Sequence, residues 1–232
     1  MQILAMDTAT SSCSVALWCD GAIVAARREV MFRGQAEALV PMISDVLDEA
    51  KVTASDLDLL AVTVGPGAFT GLRIGLATAR GMGLAANVPC LGLTTTEVIA
   101  HAVNASSWKR GTLLVALDSK RADIYVQAFQ LGLKPIKEAS AMDPAILGEW
   151  LQDNVPGPIH VVGDARVLAT AALIKAGLET IVIEAPEVPD GSVVAELASL
   201  RWTPGDVLEA PLPLYLRPPD AKFPKDGGRL RP

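Results

Sequence analysis

The sequence predicts an α/β protein made of two similar halves, each with a mixed β-sheet and flanking helices. Short β-type segments alternate with segments of helical spacing along the 232 residues. Each half opens with a strand that ends at an acidic corner, Asp7 in the first half and Asp118 in the second, and a further strand follows. Hydrophobic residues make up 50% of the chain, enough for one core or for two small lobes.

Three strands open the first half, and we predict them over residues 2–7, 14–18 and 23–28. Asp20-Gly21 lies between the last two and is a strong signal for a two-residue hairpin. The start of the chain lacks the basic segment of a signal peptide, and no apolar run approaches the ~20 residues that span a bilayer. We therefore expect a cytoplasmic protein without a membrane partner.

A helix is predicted over residues 35–50, where apolar residues that include Leu39 and Ile43 recur three and four positions apart. Pro41 lies inside this pattern and should kink the helix or mark its true start. A buried strand over 58–64 then leads into a glycine-rich turn.

The glycine-rich turn reads Gly-Pro-Gly-Ala-Phe-Thr-Gly over residues 65–71 and leads into a helix that we expect to end near Ala86. A strand over 89–93 and a helix over 94–103 complete the first half. The apolar pattern breaks near residues 106–111. We therefore predict an N-terminal lobe over residues 1–105, a smaller C-terminal lobe over 106–216 and a basic tail over 217–232.

The second half repeats the order of strand, acidic corner, strand and later helices. Its predicted strands cover residues 112–117, 124–129, 159–162 and 181–183. Its predicted helices cover residues 143–152, 168–176 and 192–202, and Ser192 is the expected N-cap of the last one. The repeated order suggests a duplicated lobe.

Charge and cysteine content exclude several classes of protein. The net charge of −6 argues against this chain alone gripping a polyanion such as tRNA. From Arg217 to the end there are five basic and two acidic residues, and we predict a mobile tail that is solvated or in weak contact with phosphates. The three cysteines, Cys13, Cys19 and Cys90, are too few and wrongly spaced for a disulfide framework or a zinc site.

The glycine-rich turn does not fit the known phosphate-binding patterns. A Walker loop needs four residues between its glycines and then Gly-Lys-Ser/Thr, whereas Gly67 and Gly71 enclose three and Leu72-Arg73 follows. A dinucleotide-binding loop needs a glycine where Thr70 stands.

The helix after this turn carries a stripe of small residues at every fourth position: Gly71, Gly75, Ala79 and Gly83. Glycine in a helix costs roughly 1 kcal/mol relative to alanine, so some other element must approach very closely. That element is either a neighbouring helix or sheet of this chain or a helix of another subunit.

Several segments resemble the TsaB family, also called YeaZ. Thr63–Gly75 is similar to the signature stretch of that family, and Met6–Thr10 with Val15–Leu17 is similar to its start. Asp118–Tyr125 resembles its second acidic hairpin and Pro213–Pro218 its C-terminal Pro-x-Tyr-Leu-Arg segment. The resemblance covers nearly the whole chain in order.

The resemblance implies an α/β fold of the actin, Hsp70 and sugar-kinase (ASKHA) class with two duplicated lobes. It also implies a cytoplasmic subunit that pairs with the catalytic paralogue TsaD. With the ATPase TsaE, the pair transfers threonylcarbamoyl from its adenylate to N6 of adenosine 37 in tRNA, so this chain would meet tRNA only through the complex. No cofactor is expected on this chain alone, while ATP or ADP would belong to the complex.

The family also implies a partner surface. Its first two helices pack against their equivalents in TsaD or, without TsaD, in a second TsaB copy that forms a homodimer. Here that assigns six residues to the partner interface: Gly71, Gly75, Ala79, Gly83, Leu39 and Ile43.

The resemblance further implies that this chain is not the catalyst. TsaD-type proteins carry a His-x-x-x-His pair after the strand that follows the glycine motif, and two histidines one turn apart can hold a metal. Here Thr95 and Ile99 occupy those positions, and the two histidines, His101 and His160, lie on different elements. We therefore expect no metal site and no catalytic residue.

Two enzymatic alternatives remain open. Asp7 and Asp118 stand at the two corners where phosphotransferases of this fold class hold Mg²⁺ and phosphates, although the first turn has no glycine and no lysine nearby. The other reading of these aspartates is that they accept local backbone N–H groups. A glycoprotease-like metallopeptidase is the second alternative, although the histidine pair that would hold its metal is missing. A serine nucleophile has no support either, because the chain has no Gly-x-Ser-x-Gly elbow.

Overall fold

Two five-stranded β-sheets form the centre of the protein, one from each half of the chain. The structure, a computed structural model, describes residues 1–103, 106–152 and 155–217. Within these residues the strands are β1 (Gln2–Asp7), β2 (Ser12–Cys19), β3 (Ala22–Val30), β4 (Leu59–Gly65), β5 (Cys90–Thr94), β6 (Thr112–Asp118), β7 (Ile124–Gln130), β8 (Lys134–Met142), β9 (Ile159–Val162) and β10 (Thr180–Val182). The α-helices are α1 (Gln35–Ala50), α2 (Phe69–Ala86), α3 (Thr95–His101), α4 (Leu147–Gln152), α5 (Arg166–Lys175) and α6 (Gly191–Arg201).

The two sheets have the same topology. The strand order is β3-β2-β1-β4-β5 in the first sheet and β10-β9-β6-β7-β8 in the second. In each sheet the first strand pairs antiparallel with the strand that follows it and parallel with the fourth strand. Two copies of one topology support the duplication that the sequence suggests.

Helices cover the sheets in layers. α1 and α2 pack on the outer face of the first sheet, where apolar residues of β1, β2 and β4 meet both helices. α3 and α6 pack on its other face, and α3 also contacts β6 and β7 of the second sheet. α4 and α5 lie on the outer face of the second sheet. None of the helices in the described ranges combines the length and hydropathy needed to cross a bilayer.

The end of the described chain returns to the first half. α6 follows the second sheet in sequence, yet it packs against β1 and β2. The Leu214 N–H donates a hydrogen bond to the Val64 carbonyl at 2.7 Å, which attaches this segment to the end of β4. The lobe boundaries at 105 and 216 stay a prediction, and the tail lies outside the described residues beyond Arg217.

The strongest local signals of the sequence are confirmed. Asp20 and Gly21 both have positive φ, 45° and 105°, as a two-residue hairpin turn requires. α1 covers Gln35–Ala50, as predicted. Pro41 is neither its start nor its end, and its exposed position allows the freed carbonyl one turn earlier to bond with water.

Two local predictions were incomplete or wrong. β8 was not predicted, because an edge strand with Pro135 near its start and exposed residues on both faces lacks the apolar alternation of a strand. The N-cap of α6 is Asp190 rather than Ser192, since the Asp190 carboxylate accepts the Ser192 N–H at 2.8 Å.

The stripe of small residues on α2 faces the first sheet of this same chain. A Cβ atom added at Gly71 would lie 2.0 Å from the Thr8 carbonyl oxygen. One added at Gly75 would lie 2.7 Å from the Thr8 hydroxyl oxygen, and one at Gly83 would lie 2.8 Å from the Val88 carbonyl oxygen. The intramolecular alternative therefore accounts for the stripe.

The residue set assigned to the partner interface needs correction. Ala79 and Leu39 are fully buried and Ile43 is nearly so, all in the core under α1 and α2. The three glycines pack against the β1–β2 turn, β4 and the segment before β5, so all six residues are buried within this chain. A partner that docks on these helices must use their opposite, exposed faces.

The glycines of α2 provide a matched stability test. Gly71→Ala should lower the free energy of unfolding by about 2 kcal/mol or more, because the new Cβ meets backbone that cannot move freely. Gly81→Ala on the same helix should raise it by about 1 kcal/mol, because nothing lies within 4 Å of its added Cβ. Urea denaturation of both variants measures the difference, and equal effects would show that the stripe is not packed as described.

Candidate functional site

A cleft of about 1030 Å³ opens between the two halves of the chain. On the side of the first half it is lined by the β1–β2 turn, by the loop that leads into α1 and by the start of α2. On the side of the second half it is lined by the β6–β7 corner around Asp118. Leu214–Arg217 forms part of the wall between them.

The corner residue Asp7 lies behind this cleft and is fully buried. Its Oδ1 accepts hydrogen bonds from the Thr63 hydroxyl at 2.6 Å and from the Ala9 N–H at 3.1 Å, and Oδ2 accepts one from the Ser12 hydroxyl at 3.4 Å. Burial raises the pKa of Asp7 to about 6, although these hydrogen bonds oppose the rise. The carboxylate therefore organises the local turn rather than facing a ligand.

Close packing against α2 closes the first corner. Cβ atoms added at Gly67 and Gly71 would lie 2.2 Å and 2.0 Å from the carbonyl oxygens of Ala9 and Thr8. The Ala68 N–H donates to the Ala9 carbonyl at 2.7 Å, and the Thr8 hydroxyl donates to the Gly71 carbonyl at 2.7 Å. The glycines of the motif thus allow backbone to approach backbone, and the space where a phosphate would sit beside this turn is filled.

The second corner is open to the cleft. The exposed Asp118 forms an ion pair with Lys120 at 2.8 Å and accepts the Lys120 N–H at 2.6 Å. Burial acts to raise the pKa of Asp118, but the hydrogen bonds and charge of Lys120 outweigh it and hold that pKa below its ordinary value. Asp164 accepts the Asp118 N–H at 2.7 Å, and burial raises its pKa. Asp7 and Asp118 therefore share a local turn geometry but not a common site.

Sequence reasoning missed an arginine–aromatic cluster on the cleft wall. The rings of Phe69 and Tyr215 lie 5.2 Å apart between centroids. The Arg73 guanidinium lies 3.5 Å above the Phe69 ring centre, and its Nε donates to the Tyr215 hydroxyl at 3.0 Å. Residues 69 and 215 are far apart in sequence, so no local pattern could have paired them.

The end of this wall is fixed to the second half. Arg217 forms an ion pair with Asp123, donates to the Ser119 hydroxyl at 2.9 Å and lies 5.5 Å from the Tyr125 ring centre. The Pro-x-Tyr-Leu-Arg segment, noticed in the sequence only through a resemblance, therefore connects β4 to the β6–β7 corner across the cleft.

The positions that could have held a metal do not form a site. Thr95 and Ile99, which stand where TsaD-type proteins have histidines, are fully buried in the core around α3. His101 ends α3 and His160 is buried on β9. Within the residues described, no group of three or more His, Cys, Asp or Glu side chains could hold a metal ion.

The cysteines are unsuited to nucleophilic catalysis. Burial raises the pKa of the Cys13 and Cys90 thiols to about 11, and the pKa of Cys19 is raised by the same cause. A thiol with a raised pKa is almost entirely protonated at neutral pH. The three cysteines therefore behave as small hydrophobic side chains in the structure.

The buried Asp7 gives a pH-dependent test. Its folded-state pKa of about 6 exceeds the ordinary 3.8, so between these values the folded state binds more protons than the unfolded state. The free energy of unfolding should therefore fall by up to about 3 kcal/mol as the pH rises from about 4 to about 6. Asp7→Asn keeps an acceptor for Thr63 and Ala9 and should remove this fall in urea denaturation at several pH values.

The matched control is Asp45→Asn, at an exposed aspartate of α1, which should leave the pH dependence of the wild type in place. An identical pH dependence in the wild type and Asp7→Asn would contradict the burial of an ionisable group at this corner.

A protein-family model matches most of the chain. The model described as TsaD, tRNA N6-adenosine threonylcarbamoyltransferase, matches residues 29–187. That range contains α1, the glycine motif, α3 and most of the second half.

Curated relatives carry a more specific name. The tRNA threonylcarbamoyladenosine biosynthesis protein TsaB of Escherichia coli is 38% identical over 159 residues, which is 66% of this chain and 67% of that protein. An uncharacterized protein of Mycobacterium tuberculosis is 32% identical over 223 residues, which is 95% of this chain and 93% of that protein.

Solved structures agree with both findings. YeaZ from Pseudomonas aeruginosa superposes with a TM-score of 0.79 at 28% identity, over 93% of this chain and 99% of that chain. The ROK hexokinase of Thermus thermophilus superposes with a TM-score of 0.51 at 12% identity, over 86% of this chain and all of that chain, and shows the fold alone. The predicted fold of the actin, Hsp70 and sugar-kinase class is therefore confirmed. The chain belongs to the TsaB family, also called YeaZ.

Proposed function

We propose that this chain is a non-catalytic subunit in the synthesis of N6-threonylcarbamoyladenosine at position 37 of tRNA. It would pair with a TsaD-type transferase, stabilise and activate it, and work with the ATPase TsaE in the cytoplasm. The name of the Escherichia coli relative supports the pathway, and the transferase family model supports a paralogous relation to the catalyst.

One observation carries the non-catalytic part of the proposal. In TsaD-type proteins a histidine pair follows the strand after the glycine motif, whereas this chain has Thr95 and Ile99 there, both fully buried. Neither side chain can serve as an imidazole ligand, and neither has access to the cleft. The closed corner at Thr8 and Ala9 adds support, because it fills the space that a phosphotransferase of this fold would need for phosphate.

The outward faces of α1 and α2 are the proposed partner surface. Val40 on α1 is 59% exposed and Leu84 on α2 is 87% exposed, so each of these adjacent helices presents an apolar side chain on its outward face. Gly81 lies one turn before Leu84 and has open space around it. No packing within the described residues requires a glycine there, so a closely approaching helix of TsaD or of a second copy would account for it.

Reconstitution with single omissions tests the proposed function. The full chain is combined with TsaD, TsaE, threonylcarbamoyl-adenylate and unmodified tRNA, and modified adenosine is counted by nucleoside mass spectrometry. Product that requires both this chain and TsaD is expected. Product without TsaD would make this chain the catalyst, and product without this chain would remove it from the reaction.

The partner surface has its own test in the same system. Val40→Asp and Leu84→Asp should each weaken pairing with TsaD at least about tenfold in calorimetric titration, because each would bury a charge without a partner. The circular dichroism and the urea denaturation of both variants should match the wild type, since both side chains are exposed.

Leu200→Asp is the matched control, because Leu200 is 73% exposed on α6, away from α1 and α2. Retained pairing in both variants would exclude the outward faces of α1 and α2 as the partner surface. An equal loss in the control would show that the loss is not specific to these faces.

A further inference from the structure

The cleft gathers aromatic side chains from several segments of the chain. The chain has four phenylalanines and two tyrosines, and both tyrosines and two of the phenylalanines line this one cleft. Phe32 is 80% exposed and Phe69 is 47% exposed, so their rings are not there to fill the core. Exposed aromatic rings grouped in one concave surface indicate a binding site rather than random surface composition.

The cleft also differs in charge from the rest of the molecule. Its lining includes five basic and three acidic side chains, in a chain whose net charge is −6. Two of the acidic ones, Asp118 and Asp164, lie next to Lys120 at 2.8 Å and 4.0 Å. The basic residues come from both halves of the chain: Arg33, Arg73, Lys120, Arg121 and Arg217. The charge of this lining therefore favours an anionic ligand more than the average charge of the chain does.

Two aromatic side chains fix the position of the Arg73 guanidinium in the cleft. The Phe69 ring lies under its guanidinium at 3.5 Å, and the Tyr215 hydroxyl accepts its Nε–H at 3.0 Å. These contacts fix the plane of the guanidinium and leave its terminal nitrogens available as a two-pronged donor, which suits a phosphate. In the part of the chain that the structure describes, neither Arg73 nor the neighbouring cleft residue Arg33 contacts a carboxylate.

We propose that this cleft binds a single strand of RNA, with an unpaired base on the exposed Phe32 ring and backbone phosphates on Arg33 and Arg73. Aromatic rings interleaved with arginines are the usual means of holding unpaired nucleotides, because every base has a face that stacks. This inference rests on the proposed function and deepens it: the chain contacts the RNA substrate directly instead of reaching it only through its partner.

Charge and dimensions favour RNA over the other occupants. The segment that follows Arg217 carries four more basic and two acidic residues, so its charge does not complement a basic cleft. A free mononucleotide has one charged end, whereas the basic side chains of this cleft are distributed over both of its sides. A strand with a phosphate at every nucleotide can reach both sides at once. An acidic peptide would match the charge but would not use the stacking faces.

Fluorescence anisotropy of the full chain with a labelled single-stranded hexaribonucleotide at low salt tests the proposal. The chain should bind this probe more tightly than the same sequence held in a hairpin stem, because stacked and paired bases are not accessible to the rings. Phe32→Leu keeps an apolar side chain but removes the aromatic face, and it should weaken binding about 5- to 100-fold. Since Phe32 is exposed, the variant should fold like the wild type.

Arg33→Gln should weaken binding and reduce the slope of log affinity against log salt by about 0.7, as expected for the loss of one phosphate contact to a single strand. Arg110→Gln is the matched control, since Arg110 is exposed and does not line the cleft, and its slope should equal that of the wild type. Equal effects of the two arginine variants would overturn the proposal.

Three further results would also overturn the RNA proposal: equal affinity for stem and strand, unchanged binding by Phe32→Leu, or displacement of the strand by equimolar ADP or by an acidic peptide.

The RNA proposal and the proposed function can fail independently of each other. If tRNA modification still depends on the chain while the cleft variants bind the strand normally, only the RNA proposal fails. If the strand binds as expected but modification does not need the chain, the proposed function fails instead.

Discussion

The structure depends on the close packing of the first β-corner against the start of α2. The Ala9 carbonyl oxygen lies 2.2 Å from where a Cβ atom of residue 67 would be, and the Thr8 carbonyl oxygen lies 2.0 Å from where a Cβ atom of residue 71 would be. Only glycine at residues 67 and 71 therefore permits the backbones to come this close. The contact sets the position of α2 on the first sheet and encloses Asp7, which is why that carboxyl is buried with a raised pKa. It also places Phe69 and Arg73, the next outward-facing residues of α2, on the wall of the cleft.

The two halves share one topology but differ at their corners. In both halves an aspartate ends the first strand and accepts the N–H of the residue two positions later. The first corner is closed by α2, while the second stays open and carries Lys120 beside Asp118. A phosphate site that needs the Asp7 corner and the Asp118 corner to face one ligand therefore cannot form. The two surfaces proposed for interaction are the outward faces of α1 and α2 and the aromatic cleft, which suits a subunit that works through contacts with other molecules.

Features set by neighbouring residues could be predicted from the sequence, and features set by distant ones could not. The turn at Asp20-Gly21 and the helix Gln35–Ala50 follow from local chemistry, and both agree with the structure. The spacing of the α2 glycines correctly indicated a close approach, but spacing does not say which element approaches. The approaching elements are the β1–β2 turn, β4 and the segment before β5 of the same chain. The cleft was missed because its aromatic residues come from four separate segments, so that only the folded chain brings them together.

The packing of the corner against α2 is tested most directly by native-state hydrogen exchange at the Ala68 amide, which donates to the Ala9 carbonyl at 2.7 Å. Exchange is measured at increasing urea concentrations below the unfolding transition. We predict that this amide exchanges only through global unfolding, with the same free energy as urea denaturation gives, although it precedes the helix and lies in a turn. Exchange through a local opening of much lower free energy would show that α2 can leave the corner and would contradict the central role of this contact.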